Sequence, residues 1–322
     1  QIYNYQILTP FKSSVPLVSI GNVAMGGTGK TPITICLSKL LNSQSIKHVI
    51  ISRGYKKKSR GTVLVSDGKH NVSDFVDSAY ESGDEAYLMA SKLPNTPIVV
   101  DNNKINAIKY AIKNFHPDII LIDDAFQSRY LNIDYNIVLH NDTSLDGDMK
   151  MFPLGRLRQP LSSLQRADTI IITKSKHKLK PVFLNQYKEI IMFSKSTTFI
   201  LEWRHKSQLL VKKPSQKINT AKIFIFCGLA DPSSFFQSAQ QHYSNLYMKK
   251  SYSDHYEYQN KIGFLQHCKL AEQQQITTFV TSYKDFVKIY QDNNIMSKNV
   301  IWEIIDIEYS LSKSILKKIS LK

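Results

Sequence analysis

The sequence predicts an α/β protein, a parallel sheet with helices on both faces followed by a smaller C-terminal α/β domain. Three observations carry that reading. Short, continuous apolar runs alternate with segments of helical spacing. The first run ends in a glycine-rich loop that opens a helix. A second alternation begins at residue 222, beyond a polar and basic stretch.

Residues 15–20 (VPLVSI) form the first strand, and from 32 to 41 the apolar spacing turns helical. Residues 48–52 and 97–100 read as strands, 105–115 as a helix, and 118–122 (DIILI) as a buried strand; 135–140 and 169–173 add two more. Runs that are apolar throughout, instead of alternating, belong to strands covered on both faces, hence to a parallel sheet. Beyond Lys174 the chain becomes polar and, through Lys180, basic; 197–203 and 208–212 can pair as an exposed hairpin. Residues 222–227 (KIFIFC) end at Gly228 and open a second α/β pattern that runs to about residue 300. The division expected is a first domain over 1–190, a hairpin linker over 191–215 and a C-terminal domain over 216–322, whose last helix packs back on the first.

The chain has 322 residues, 42% hydrophobic and 21% charged, as in an ordinary globular protein. Cys36, Cys227 and Cys268 are far apart and form no CxxC pair, so neither a disulfide framework nor a zinc site is indicated and a reducing cytosol fits. A net charge of +16 favours an anionic partner: nucleic acid, an anionic membrane surface or a phosphorylated substrate. No apolar run approaches the ~20 residues of a membrane-spanning helix, and no signal peptide is visible. Because the chain starts with glutamine, a preceding segment, with any anchor it carries, is expected.

The loop after the first strand, Ala24-Met25-Gly26-Gly27-Thr28-Gly29-Lys30-Thr31, has the form of a P-loop and makes the first domain P-loop NTPase-like. In such a loop backbone N–H groups and a helix N-terminus surround phosphate oxygens, the lysine reaches the β and γ phosphates, and the hydroxyl binds Mg²⁺. Ala24 replaces the usual first glycine, a change its small size permits. Pro32 falls in the first helical turn, where its missing N–H has no intrahelical acceptor to lose. Asp123 and Asp124 stand at the end of a buried strand that this topology sets beside the P-loop, where one can hold Mg²⁺; an Asp pair also suits a surface turn. Gly83-Asp84-Glu85 reads as a polar loop, either solvated or carrying its carboxylates to the phosphate end of the sheet. Asp254-His255 in the second domain reads as a surface pair or a catalytic one. Arg53, Arg156 and Arg158 suit bidentate contact with phosphate oxygens, or a basic turn.

Seven stretches, VPLVSIGNVAMGGTGKTP, ISRGY, GDEAYLMA, PDIILIDDAFQSRYL, MFPLGRLRQPLSSLQRAD, FCGLADPSSFF and YSDHYEY, taken together resemble the tetraacyldisaccharide 4'-kinase family, the lipid A 4'-kinases of Gram-negative bacteria. They follow the family's order from Val15 to about Ile289. The resemblance implies transfer of the γ-phosphoryl of ATP to the 4'-hydroxyl of an acylated glucosamine disaccharide 1-phosphate, at the cytoplasmic face of the inner membrane. It implies that Lys30 and Thr31 bind phosphate and Mg²⁺, that Asp123 and Asp124 complete the Mg²⁺ site, and that Glu85 sits near the metal. It makes Asp84 the general base, oriented by His255 on closure of the two lobes, and gives Arg158 the developing phosphoryl charge. An anionic membrane surface, a monomer and no nucleic acid are the partner expectations that go with it.

The chain departs from the family pattern at Ser128, commonly histidine, at Gln159, commonly glutamate after the arginine, at Lys56 in place of glycine, and at residues 280–285, VTSYKD in place of TTEKD. These positions concern the placing of nucleotide and acceptor. Two other readings stay in view: a catalytically impaired homologue, and a P-loop GTPase or metallochaperone-like NTPase. For the second, Thr173-Lys174-Ser175-Lys176 lacks the aspartate that reads guanine, and no DxxG switch occurs. A nucleic-acid module would need basic and aromatic residues interleaved on one face, and no such motif is present.

Overall fold

The computed structural model describes residues 9–76, 79–141, 150–173, 184, 186–187, 191–204, 207, 209–213, 221–259, 261–296 and 299–320. It has two compact units, one of Gln1–Asp77, Glu81–Ser196 and Tyr309–Lys322, the other of Ser78–Tyr80 and Thr197–Glu308.

The first unit is built on strands β1 (Leu17–Asn22), β2 (His48–Ser52), β3 (Val63–Asp67), β4 (Pro97–Val100), β5 (Ile119–Asp123), β6 (Tyr135–Asn141), β7 (Thr169–Thr173) and β8 (Ile191–Phe193). Their order is β3-β4-β2-β5-β1-β6-β7-β8, and every pairing is parallel except that of β3 with β4. The central strands are buried along their whole length, which explains their unbroken Val, Ile and Leu runs. The antiparallel edge strand β3 has a mixed burial pattern and gave no such signal.

Helices α1 (Lys30–Ser43), α2 (Ala79–Ser82), α3 (Asp84–Lys92) and α4 (Lys104–Phe115) follow in the chain. Ala107, Ile108 and Ala111 of α4 pack on Val49, Ile51, Val99, Ile120 and Ile122 of the sheet. The Asn103 side chain accepts from the Ile105 N–H and starts that helix. Residues 84–85 differ from the polar loop expected, because they form the first turn of α3. Acidic side chains are favoured there by the helix dipole, and Ala86, Tyr87, Leu88 and Met89 behind them are buried.

The second unit contains β9 (Lys195–Arg204), β10 (Leu209–Lys212), β11 (Ile223–Cys227), β12 (Met248–Ser251), β13 (Thr278–Ser282) and β14 (Ile301–Ser310), in the order β10-β9-β14-β13-β11-β12. The β9–β10 hairpin pairs antiparallel with Trp203 opposite Leu210, and it extends this sheet through β14. Helices α5 (Pro232–Gln240), α6 (Ile262–Gln273) and the short α7 (Tyr283–Phe286) complete the unit. Its core is aromatic: Phe224, Phe226, Tyr258, Phe264, Phe279 and Trp302 meet largely edge to face. The chain returns to the first unit at Tyr309. There α8 (Ser314–Ser320) brings Leu316 and Ile319 against Val18, Leu41, Ile46 and Tyr135 around a cavity of about 230 Å³. Among the described residues no helix is long and apolar enough to cross a membrane.

Candidate active site

The glycine loop joins the end of β1 to α1, as the sequence predicts. Gly29 occupies the position before the helix with φ 85°, a conformation that strains other residues. Within the loop Asn22 Nδ2 donates to Thr28 Oγ1 at 2.9 Å, and the Thr28 carbonyl accepts from Thr173 Oγ1 at 2.9 Å. From outside, residues 156–158 are strapped along it. Met25 N–H donates to the Arg156 carbonyl and Arg158 N–H to the Val23 carbonyl, each at 2.7 Å, with Ala24 bridged to Leu157 between them. Gly26 has φ 109°, and a Cβ there would lie 2.0 Å from the Arg156 guanidinium. Only glycine permits that approach, so the two motifs fix each other.

Strand β5 lies directly beside β1, with Asp123 opposite Ile20, so Asp123 and Asp124 emerge at the loop. Asp124 turns into a left-handed conformation, φ 51°, and its N–H donates to the Ile20 carbonyl. Its carboxylate meets Lys30 Nζ at 3.5 Å and Arg158 Nη1 at 3.1 Å. Although burial opposes ionisation, those two cations hold Asp124 below the usual carboxylate range. Asp123 behaves oppositely. It is 2% exposed, its Oδ1 has no hydrogen-bond partner, and burial, reinforced by the charge of Glu85, pushes its carboxyl up despite Lys30 and Lys104.

Asp84 is placed by a glycine contact. Gly83 has φ 89°, and a Cβ on it would come within 3.0 Å of the Gly54 and Tyr55 backbone, so the ISRGY turn and the GDE turn lock together. Asp84 is itself buried at the start of α3, with Glu85 next to it. His255 belongs to the second unit and is held there by Asp254 and Lys284.

One member of the site escaped the sequence reading. Lys104, in the first turn of α4, is 6% exposed, and its ammonium is pushed below its usual range by burial, then drawn back by Asp124 and Asp123. A signal existed: a lysine opening a helix opposes the helix dipole, so it needs another reason to be there. The structure thus brings Lys30, Asp123, Asp124, Arg158, Glu85 and Lys104 into electrostatic contact.

Of the departures, Gln159 has a definite job. Its Oε1 accepts from Arg166 Nη2 at 2.6 Å, while Arg166 also donates to the Phe126 carbonyl and lies 4.1 Å from the centre of the Phe126 ring. With no carboxylate beside it, burial and Arg129 bring the Arg166 guanidinium down to about 10. Ser128 is buried and its N–H closes a turn to the Ala125 carbonyl. The GTPase reading loses ground because the Thr173 hydroxyl is engaged with the Thr28 and His140 carbonyls; Lys174 and Lys176 lie outside the described residues.

Among the described residues no three His, Cys, Asp or Glu side chains gather as in an all-protein metal site. Magnesium does not need such a cage, since it is commonly held by one or two carboxylates together with nucleotide phosphates. An ionisable, buried carboxylate oxygen with no partner is what such an ion would complete.

The family model for tetraacyldisaccharide-1-P 4'-kinase matches residues 1–321. A tetraacyldisaccharide 4'-kinase of Halothermothrix orenii is 32% identical over 98% of this chain and 85% of its own. One from Pelodictyon phaeoclathratiforme is 34% identical over 81% of this chain and 74% of its own. The crystal structure of LpxK from Aquifex aeolicus in complex with ATP superposes with a TM-score of 0.74 at 27% identity, covering 99% of this chain and 92% of that one. With the loop, the aspartate pair and the strap of residues 156–158 arranged as described, the match along the whole length leaves one assignment: the chain belongs to the tetraacyldisaccharide-1-P 4'-kinase family.

Proposed function

We propose that this enzyme transfers the γ-phosphoryl group of ATP to the 4'-hydroxyl of a tetraacylated glucosamine disaccharide 1-phosphate. The observation that carries the reading is Lys30 at the head of α1 facing Asp124, with the partnerless Asp123 carboxylate alongside. In this arrangement residues 24–29 offer backbone to the phosphates, and Lys30 and Arg158 supply the positive charge that the leaving and transferring groups need. Lys104 adds a third cation from the far side of the aspartate pair.

Thr31, Asp123, Asp124 and Glu85 are the residues that would hold Mg²⁺. When bound, that ion neutralises charge on the β and γ phosphate oxygens. Asp84 accepts the proton of the 4'-hydroxyl as the sugar oxygen bonds to γ-phosphorus and the bond to the β-phosphate oxygen breaks, releasing ADP. His255 orients the Asp84 carboxylate for that step. An acylated, anionic acceptor also accounts for the net charge of +16, since each Lys or Arg near an anionic surface contributes about 1 kcal/mol. We place the enzyme on that account at the cytoplasmic face of the inner membrane.

The test is incubation of the purified protein with Mg-ATP and a tetraacylated disaccharide 1-phosphate, read by mass spectrometry. A bisphosphorylated product that disappears with Lys30→Ala supports the reading. ATP turnover without a lipid product would transfer the site to an NTPase function.

A further inference from the structure

The motif that stands as VTSYKD at residues 280–285 has no part in the chemistry above, yet its side chains grip the loop that carries His255. Strand β13 ends at Ser282, whose hydroxyl caps α7 by accepting the Asp285 N–H at 3.1 Å. Asp285 is fully buried, receives Ser282 Oγ at 2.7 Å and the Gly228 N–H at 2.9 Å, and pairs with Lys288 at 2.9 Å. Lys288 Nζ continues to the Tyr256 carbonyl at 3.2 Å. One turn beforehand, Lys284 Nζ reaches Asp254 Oδ1 at 3.2 Å and His255 Nε2 at 3.3 Å. Asp254 Oδ1 also accepts the His255 N–H at 3.0 Å.

Two facts mark the grip as directed at the ring. His255 has φ 58°, a left-handed conformation that costs a non-glycine residue about 1 kcal/mol and persists only where the surroundings impose it. The ring is only 13% exposed, so it does not turn freely in solvent. Nε2 has two neighbours, Lys284 Nζ at 3.3 Å and Asp254 Oδ2 at 3.6 Å, and only the first is within hydrogen-bonding distance. An ammonium has donors and no acceptor, so the contact requires a lone pair on Nε2. The imidazole proton must then be on Nδ1.

We propose that Lys284 is a positioning residue that fixes His255 as the neutral tautomer protonated at Nδ1, so that Nδ1–H is the donor offered to the base carboxylate. The proposal rests on the assignment of His255 as the orienter of Asp84. A wrong tautomer leaves the carboxylate facing a lone pair, which repels it instead of orienting it.

Nitrogen-15 spectra of the full-length protein labelled at histidine test this directly, with His255→Gln to assign the resonances. The expected wild-type pattern is a protonated Nδ1 and an unprotonated Nε2 at His255. Lys284→Met should lose that pattern, with protonation moving to Nε2 or to both nitrogens, and Lys284→Arg should restore it. Turnover in Lys284→Met should fall about tenfold at unchanged KM for ATP, the fall should be absent in a His255→Gln background, and Lys284→Arg should recover most of it. A wild-type ring carrying its proton on Nε2 overturns the proposal whatever the variants do, including a Lys284→Met protein that does not fold. A pattern unchanged by Lys284→Met overturns it as well. Because the spectra need no lipid acceptor, failure of the kinase reading and failure of this proposal are separately visible.

Discussion

Asp123→Asn should stabilise the fold while removing activity, and the sign of the effect should depend on pH. In the structure the carboxyl is buried and pushed up from 3.8 to about 7. A carboxylate raised in the folded state stabilises the protein fully below its unfolded value, near pH 4; that contribution is lost as pH rises to about 7. A shift of about three units corresponds to about 4 kcal/mol at 1.36 kcal/mol per unit, and a net effect of about 2 to 4 kcal/mol is expected at pH 8. Asparagine has nearly the shape of the protonated acid and cannot ionise. The two proteins should therefore unfold alike near pH 4, and the variant should be more stable by that margin at pH 8. Urea unfolding at both pH values, in chelator and without nucleotide, measures it. Mg-ATP should stabilise the wild type and not the variant. A variant less stable than wild type at pH 8, or a difference constant with pH, would refute the burial argument and with it the case for a cation at Asp123.

Asp84→Ala should lower turnover by about 10²- to 10⁴-fold while leaving the KM for ATP within about twofold, as a lost proton acceptor requires; steady-state kinetics with varied ATP decide it, and near-normal turnover removes Asp84 as base. Lys104→Met should reduce kcat/KM for ATP by about tenfold or more and leave the thermal midpoint unchanged or raised, because a buried ammonium is replaced by an apolar chain of similar length. An unchanged kcat/KM would confine Lys104 to electrostatic support of the aspartates. Gln159→Glu should give Arg166 a charged acceptor in place of a neutral one and stabilise the first unit by about 1 kcal/mol in denaturant titration; a loss of stability would mean that the Gln159 to Arg166 contact does not hold that segment.

Much of the first unit could be read from its strands, since residues buried on both sides must be apolar throughout. The strand spans 48–52, 97–100 and 169–173 coincide with β2, β4 and β7. The structure starts α4 one residue before the expected 105. What periodicity did not supply are elements whose placement is decided by distant partners. Asp84 and Glu85 look like a polar loop until Gly83 is seated on the Gly54 turn, and only then does the helix begin where it does. The antiparallel edge β3 and the return of the chain at Tyr309 are likewise products of tertiary pairing, with no local pattern to announce them. Lys104 is different: its conflict with the helix dipole was visible, and it is resolved only by carboxylates about twenty residues away in the sequence.

The aspartate pair shows how far local rules reach. Consecutive residues at the end of a strand point to opposite sides, so Asp123 and Asp124 were bound to meet different surroundings. Asp123 keeps the strand's direction and is sealed beneath the loop, where its charge is costly and its Oδ1 has no partner. Asp124 leaves the strand through φ 51° and turns to Lys30 and Arg158, where its charge is favoured. One residue of chain thus separates a carboxylate held ionised by the phosphate-binding cations from one that ionises readily only when a further cation arrives. A site built this way is assembled but electrostatically incomplete, and completing it depends on the ligand that brings its own charge. That dependence ties the stability of the first unit to occupancy of the loop, and it is why a single neutral substitution at Asp123 should separate folding from catalysis.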